Sequence, residues 1–203
     1  MNFLVSLSPA LILGAVLLVM LTATWALVGR EWRWVILALA LQYVGVFLLV
    51  AVSWPLEMAV VKVVAGWMSG AALGLGMANT SDSMQEAETA WPSGRVFRLL
   101  AAGLVVVVVL SLARAMPGWL PKVNIYQVWG SFILMGMGLL HLGLTNHPFR
   151  IAVGLLTMVS GFEILYAAVE NSTLVAGLLA VITLGIALGG VYLLIVPSME
   201  EDA

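Results

Sequence analysis

FRIAVGLLTMVSGFEILYAAVE, residues 149–170, is apolar over nearly its whole length and carries Glu163 deep inside it. A helix crossing the hydrocarbon core of a bilayer needs roughly 20 mainly apolar residues, and this stretch is long enough. A charged side chain near the middle of such a span costs on the order of 2.5–3.5 kcal/mol even on insertion scales, so it faces protein and often marks an ion path. Glu163 is therefore the residue whose neighbours have to be identified.

The rest of the chain has the same character. Of 203 residues, 63% are hydrophobic and only 9% are charged, against about 25% charge in a soluble domain, and the mean hydropathy is +1.13. The expected class is a polytopic membrane protein whose outer surface is solvated by lipid. Cysteine is absent, which excludes disulfides, thiolate metal sites and a cysteine nucleophile. A net charge of −2 without any basic cluster gives no footprint for nucleic acid. His141 and His147 are too few for the usual histidine-built metal site.

Seven segments read as spans: Pro9–Val28, Trp34–Val52, Met58–Met77, Val96–Leu112, Val128–Leu144, Ile151–Val169 and Leu174–Val196. Helix is the expected state for each, because an open sheet would leave backbone groups unpaired in lipid. The first apolar run has no preceding Lys or Arg and is too long for a signal core, so it reads as a retained span. The joints GREWR (29–33), SWPLE (53–57), TNHP (145–148) and ENS (170–172) are short and impose antiparallel neighbours. A polar, acidic connection covers residues 78–95. A second, RAMPGWLPKVNIYQ (114–127), has the prolines and aromatics of a headgroup-level segment, and PSMEEDA (197–203) reads as an acidic tail.

Arg30, Arg33, Arg95, Arg98 and Arg150 fall on one side of this topology, against Arg114 and Lys122 on the other. The positive-inside rule then puts the amino terminus outside and the carboxyl terminus in the cytoplasm. Trp25, Trp32, Trp34, Trp54, Trp91, Trp119 and Trp129 sit near span ends, as an anchoring belt would, whereas Trp67 lies inside the third span.

Spans one to three and five to seven share a plan: an apolar helix, a tight Arg-bearing turn, a helix with a buried polar residue, an acidic turn and a glycine-rich helix. Gln42 follows Arg30 by 12 residues and Glu163 follows Arg150 by 13. The expected fold is all-α, with seven transmembrane helices in a 3+1+3 parallel internal repeat. Its parts are a three-helix module over 1–77, a loop, linker helix and interfacial segment over 78–127, and a second module over 128–203. The fourth span, with the featureless core LLAAGLVVVVVLSL (99–112), supplies the extra crossing that a parallel repeat requires.

The second triplet, GLLHLGLTNHPFRIAVGLLTMVSGFEILYAAVENS (138–172) with the glycine-rich helix after it, resembles the K-type subunit of bacterial respiratory complex I. It is similar also to the C subunit of Mrp sodium/proton antiporters. In that family an Arg-bearing turn leads into a helix with a G-L-E-type buried glutamate, which Glu163 in SGFEILYAA matches. The resemblance covers 128–196 and more faintly 9–77, and a doubled protein of this size is similar to the E-type subunit of formate-hydrogenlyase-class membrane hydrogenases. It implies a bacterial or archaeal inner-membrane subunit packed beside larger membrane subunits of an antiporter-like, respiratory or hydrogenase complex. The family's second acid, in its third helix, has no counterpart: LLAVITLGIALGGVYLL (178–194) offers Thr183. The first triplet has Lys62 in that helix, and Gln42 where the carboxylate would be.

Helical spacing places Ser160, Tyr166 and Glu170 on the face of Glu163. By helical rise Lys62 lies roughly 7–10 Å into its span from the outer side and Glu163 at a matching depth. The two pair, or Lys62 snorkels to the headgroups. Lys62 also begins a ridge with Gly66, Gly70 and Gly74 at four-residue steps, and Gly185 and Gly189 offer a similar ridge in the last span; such ridges let helices approach closely. His141 is either a proton relay or an interhelical hydrogen-bonding group, and Gln42 reads as interhelical glue before it reads as part of a path. The last span has no lysine for a retinal, and no HExxH motif, glycine-flanked serine nucleophile or phosphate loop occurs. No cofactor and no catalytic site of its own are expected. Two functions remain: an ion-translocating subunit (proton or sodium) with Glu163 as the titrating group, or a structural or regulatory membrane subunit in which Glu163 and Lys62 only satisfy each other.

Overall fold

The computed structural model describes residues 8–80, 94–113 and 123–201, with side chains described to Val196 in the last helix. Regular structure in these residues is entirely α-helical: α1 Pro9–Val28, α2 Trp32–Val50, α3 Leu56–Ala78, α4 Arg95–Ala113, α5 Ile125–Leu144, α6 Pro148–Val169 and α7 Thr173–Glu201. All seven are long and apolar enough to cross a membrane. The protein is thus an all-α polytopic membrane protein, with seven helices of spanning length among the described residues.

Local chemistry sets the boundaries. Ser8 caps α1, its hydroxyl accepting from the Leu11 amide at 3.4 Å, with Pro9 in the first turn. Pro148 opens α6 in the same way, where its missing N–H costs nothing. Asn124 caps α5 by accepting from the Tyr126 amide at 3.0 Å, so this helix starts at Ile125 rather than at the expected Val128. α2 is shifted two residues toward the amino terminus of the expected segment, and α7 runs on through Pro197 to Glu201, where a tail was expected. Trp91, Arg114, Trp119 and Lys122, with most of both long connections, lie outside the described residues.

Six helices close a ring in the order α1, α2, α3, α7, α6, α5, and α2 also packs on α6 across the middle. α4 stands outside the ring, against α5 and to a lesser extent α1, and is the least covered of the seven, while α6 is the most covered. Corresponding members of the two triplets therefore lie side by side. One apolar cluster joins α1, α2 and α5 around Val19, Leu49, Ile133 and Leu134. A second joins α2, α3, α6 and α7 around Leu39, Leu73, Leu156 and Ala187.

In lipid the association of helices rests on close packing rather than on expelling water, so small residues fall at the contacts. α5 and α6 make the most extensive contact of any pair. A Cβ on Gly138 would lie 2.7 Å from the Gly154 carbonyl oxygen, and one on Gly161 would lie 2.5 Å from that of Ser131. Gly66 of α3 faces the ring of Tyr43, which a methyl would overlap; a Cβ on Gly74 would lie 3.1 Å from the Ile36 side chain, and one on Gly70 3.8 Å. The expectation for α7 is corrected. Gly185 and Gly189 lie on its outer face with open space around them, and its contact glycine is Gly190, whose Cβ would meet Ala152 at 2.7 Å and Leu73 at 3.1 Å. The ridge was assigned to the wrong side because every side of this helix is apolar.

These glycines separate by experiment. Gly66→Ala is expected to cost about 1–3 kcal/mol through overpacking, whereas Gly185→Ala gains up to about 1 kcal/mol from helix propensity. Thermal unfolding in a mild detergent measures both, and equal midpoints for the two variants would contradict the assignment.

Candidate functional site

Lys62 is six residues after the start of α3 and Glu163 six before the end of α6. At ~1.5 Å per residue both lie roughly 9 Å from the same end of the bundle. Their side chains meet: Lys62 Nζ donates to Glu163 Oε1 at 2.8 Å, and each side chain is 1% exposed. The lysine thus turns inward instead of snorkelling. Its remaining capacity is also used, with the Ala176 carbonyl oxygen at 3.4 Å and the Trp54 ring centroid at 5.8 Å. A cation over an indole face is held by the ring quadrupole.

The carboxylate is less completely served. Oε1 receives Lys62 and has the Thr183 hydroxyl at 3.4 Å, but that hydroxyl has its shorter bond, 2.9 Å, to the Leu179 carbonyl one turn back. Oε2 is buried without a hydrogen-bond partner. The Tyr43 hydroxyl is buried too, with no hydrogen bond of regular geometry. It faces the hydroxyls of Ser160 and Thr183 at the edge of hydrogen-bond reach, and the Glu163 carboxylate is close enough to act on it electrostatically. Ser160 spends its proton on the Leu156 carbonyl at 2.7 Å. Four helices thus converge on one polar centre: α3 with Lys62, α6 with Glu163 and Ser160, α7 with Thr183 and α2 with Tyr43.

Trp54 closes the near end of this centre. It is 3% exposed, donates from Nε1 to the Glu170 carbonyl at 2.8 Å, and meets Tyr166 edge to face with centroids 6.3 Å apart. Its expected place in an anchoring belt is therefore corrected: the sharp Ser53–Pro55 turn folds it inward. Trp25 and Trp34 do face outward, stacked with centroids 6.1 Å apart. Trp67 also faces outward, with its indole N–H on the Ala40 carbonyl at 3.1 Å.

The polar face expected on α6 is only partly assembled. Ser160 is buried beside Glu163, but Tyr166 leans on Phe162 and Trp54, and Glu170 is exposed beyond the helix end. Neither reaches the pair, because the last turn of α6 is already at the bundle's edge. Toward the other end, Gln42 of α2 donates from Nε2 to Thr157 Oγ1 at 3.3 Å, while its Oε1 has no partner. His141 of α5 is buried, with its Cβ 3.2 Å from where a Gly154 side chain would begin. It belongs to the end that holds Arg98 and Arg150, not to the Glu163 centre.

That far end has its own logic. Arg150 donates to the carbonyls of Ala26 at 3.1 Å and Arg30 at 3.1 Å, and Arg98 donates to that of Leu27 at 3.2 Å. Ala26 and Leu27 are in the last turn of α1 and Arg30 lies just beyond it, so two buried guanidinia satisfy acceptors at this helix end and complement the negative end of its dipole. The first turns of α4 and α6 are thereby fastened to the last turn of α1. A third polar knot, absent from the sequence reading, joins the end of α2 to the start of α5: Gln127 Nε2 donates to the Leu49 carbonyl at 2.8 Å and to Ser53 Oγ at 3.0 Å.

Tyr43 and Trp54 are the site residues that sequence reasoning passed over. Tyr43 is next to Gln42, a signal that was present, and the ridge glycine Gly66 on the facing helix gives its ring room.

A buried pair stripped of one member leaves an uncompensated charge or forces neutralisation, at a cost of about 3–5 kcal/mol. Lys62→Met is accordingly expected to lose that much in denaturant unfolding, and Lys62→Met combined with Glu163→Gln to recover most of it. A single variant as stable as wild type would refute the pair. Compared with known proteins, the chain matches no family model, no curated protein and no solved structure.

Proposed function

We propose that this seven-helix membrane protein is a subunit of an ion-translocating complex, antiporter-like or redox-linked, in which Glu163 gains and loses a proton against Lys62. The observation that carries this reading is the uneven satisfaction of the buried centre. The ammonium group has all its contacts filled, while Glu163 Oε2 stays unbonded and the Tyr43 hydroxyl makes only loose contacts with Ser160 and Thr183, in a place where polar groups are ordinarily paired. A pair serving packing alone gains nothing from an orphaned carboxylate oxygen. A carboxylate that changes protonation needs an uncommitted oxygen, and a neutral hydroxyl beside it can bond either form. Tyr43, Ser160 and Thr183 are its immediate polar surroundings; Gln42 and His141 lie farther along the same bundle, toward the arginine-rich end.

The resemblance to K-type and Mrp C-type subunits belongs to the same reading, and the side-by-side packing of α1 with α5, α2 with α6 and α3 with α7 is compatible with a 3+1+3 repeat. Larger membrane subunits beside it, a bacterial or archaeal inner membrane, an amino terminus outside and a carboxyl terminus in the cytoplasm belong to the same proposal. A structural or regulatory role is the second reading, and the closure of the pair beneath Trp54 favours it.

Glu163→Gln separates the two. Under the proposal the variant, destabilised by loss of its half of the pair, still assembles in part, and its ion-coupled activity in membrane vesicles, scaled to the amount of assembled complex, falls to background; retained activity per complex would establish the structural role. Tyr43→Phe is expected to leave unfolding unchanged while shifting the carboxyl infrared band of Glu163, and an unmoved band would remove Tyr43 from the site. Purification in mild detergent should recover large partner subunits, and a clean, stable monomer would count against the complex.

A further inference from the structure

The arginine-rich end of the bundle has a second feature, separate from the Glu163 centre. α4 leans on α5 and only lightly on α1, and the gap between α1 and α4 is an open cleft of about 410 Å³. Its walls include Leu21 and Val28 of α1 and Leu99 of α4, with Leu21 and Leu99 at least half exposed toward the lipid side. At the helix ends it runs into a smaller hollow of about 190 Å³, with Trp25, Gly29 and Arg95 lining both. Arg30 and Glu31 complete the rim of that hollow, and Trp34, stacked on Trp25, forms its outer wall.

The division of labour on α4 is what makes this a built site. Arg98 turns inward to cap the α1 carbonyls, whereas Arg95, one turn earlier, stays exposed in the hollow. Arg30 uses only its backbone carbonyl in the bundle, as the acceptor for Arg150, so its side chain is free to take part in the rim. Among the described residues, two guanidinia against the one carboxylate of Glu31 leave the mouth cationic. Indoles at this depth mark the level of the headgroups, and the cleft below them is mainly apolar and, from Leu21 to Gly29, about two helical turns tall. An apolar cleft in a spanning segment, opening at the headgroup level onto a hollow lined by two arginines, complements one class of ligand: a lipid with an anionic phosphate and acyl chains.

We infer that the α1–α4 cleft holds an anionic phospholipid, one acyl chain lying between Leu21, Val28 and Leu99 and the headgroup phosphate meeting Arg30 and Arg95. Basic pockets between transmembrane helices take such headgroups, and the cleft volume falls in the range of ordinary ligand sites. The bound lipid would join α4 to α1 where the protein's own contact is thin. This inference needs only a spanning bundle, and is independent of any role for Glu163.

The test uses full-length protein, delipidated in a neutral detergent and titrated with phosphatidylglycerol carrying brominated acyl chains, with tryptophan fluorescence as the readout. Saturable quenching is expected, part of it lost in Trp25→Phe. The half-saturation point should rise about tenfold in the double variant Arg30→Gln, Arg95→Gln, since each cation near the membrane surface adds to anionic-lipid affinity. Both side chains are exposed, so the variant should unfold as wild type does, and Val28→Phe, which fills the cleft without touching the cations, should weaken quenching as well. Brominated phosphatidylcholine quenching at the same half-point, or a double variant that superimposes on wild type, would overturn the site as non-selective lipid contact. Displacement of the lipid by millimolar inorganic phosphate would overturn it too, by showing that the cations bind phosphate without any contribution from the cleft.

Discussion

A lysine and a glutamate in contact at 2.8 Å, both shut away from solvent and lipid, constrain the bundle more than any other pair. Neither charge belongs in a bilayer alone. Each would cost roughly 2.5–3.5 kcal/mol near the centre of a span, and an isolated buried ion several kcal/mol more if nothing answered it. Placing them on α3 and α6 means those helices cannot rotate or slide independently without exposing a charge. α7, which contributes Thr183 and the Ala176 carbonyl between them, is held by the same requirement. The pair thus links a helix of the first triplet to two of the second, at one depth.

Close approach of backbones makes that meeting possible. Gly66 lets the Tyr43 ring lie flat against α3, and Gly138, Gly154 and Gly161 bring α5 onto α6 nearly at backbone contact. In a medium as apolar as the side chains themselves, such packing and a few buried hydrogen bonds carry the association. It follows that the polar residues are concentrated where glycines permit contact, and the large aliphatic residues of α4 and the outer faces of α1, α3 and α7 are left for lipid.

The two ends of the bundle solve different problems. At one, Trp54 is folded inward over the ammonium group and tied to the Glu170 carbonyl, so the ionic centre is covered from that side. At the other, Arg98 and Arg150 spend their donors on the carbonyls that end α1, while Arg30 and Arg95 stay at the surface. The loop arginines that set the expected orientation therefore divide into a structural set, which locks helix ends together, and an exposed set suited to phosphate.

Hydropathy alone settled that the chain is seven apolar helices, because a span of some 20 apolar residues in lipid has no other way to pair its backbone. The depth of Lys62 and Glu163 was legible too, since helical rise is fixed and both residues are counted from helix ends. Rotation about each helix axis was not. On a helix apolar all round, such as α7, no polar face tells which side meets protein, so Gly185 and Gly189 were placed at a contact that Gly190 makes. The same ambiguity hid Tyr43 and Trp54: whether an aromatic ring looks into the bundle or out to the headgroups depends on a turn geometry and on a glycine on another helix. Composition and period decide how many helices there are and how deep each residue sits; only tertiary packing decides which side chains face one another, since that is a property of neighbours and not of any one segment.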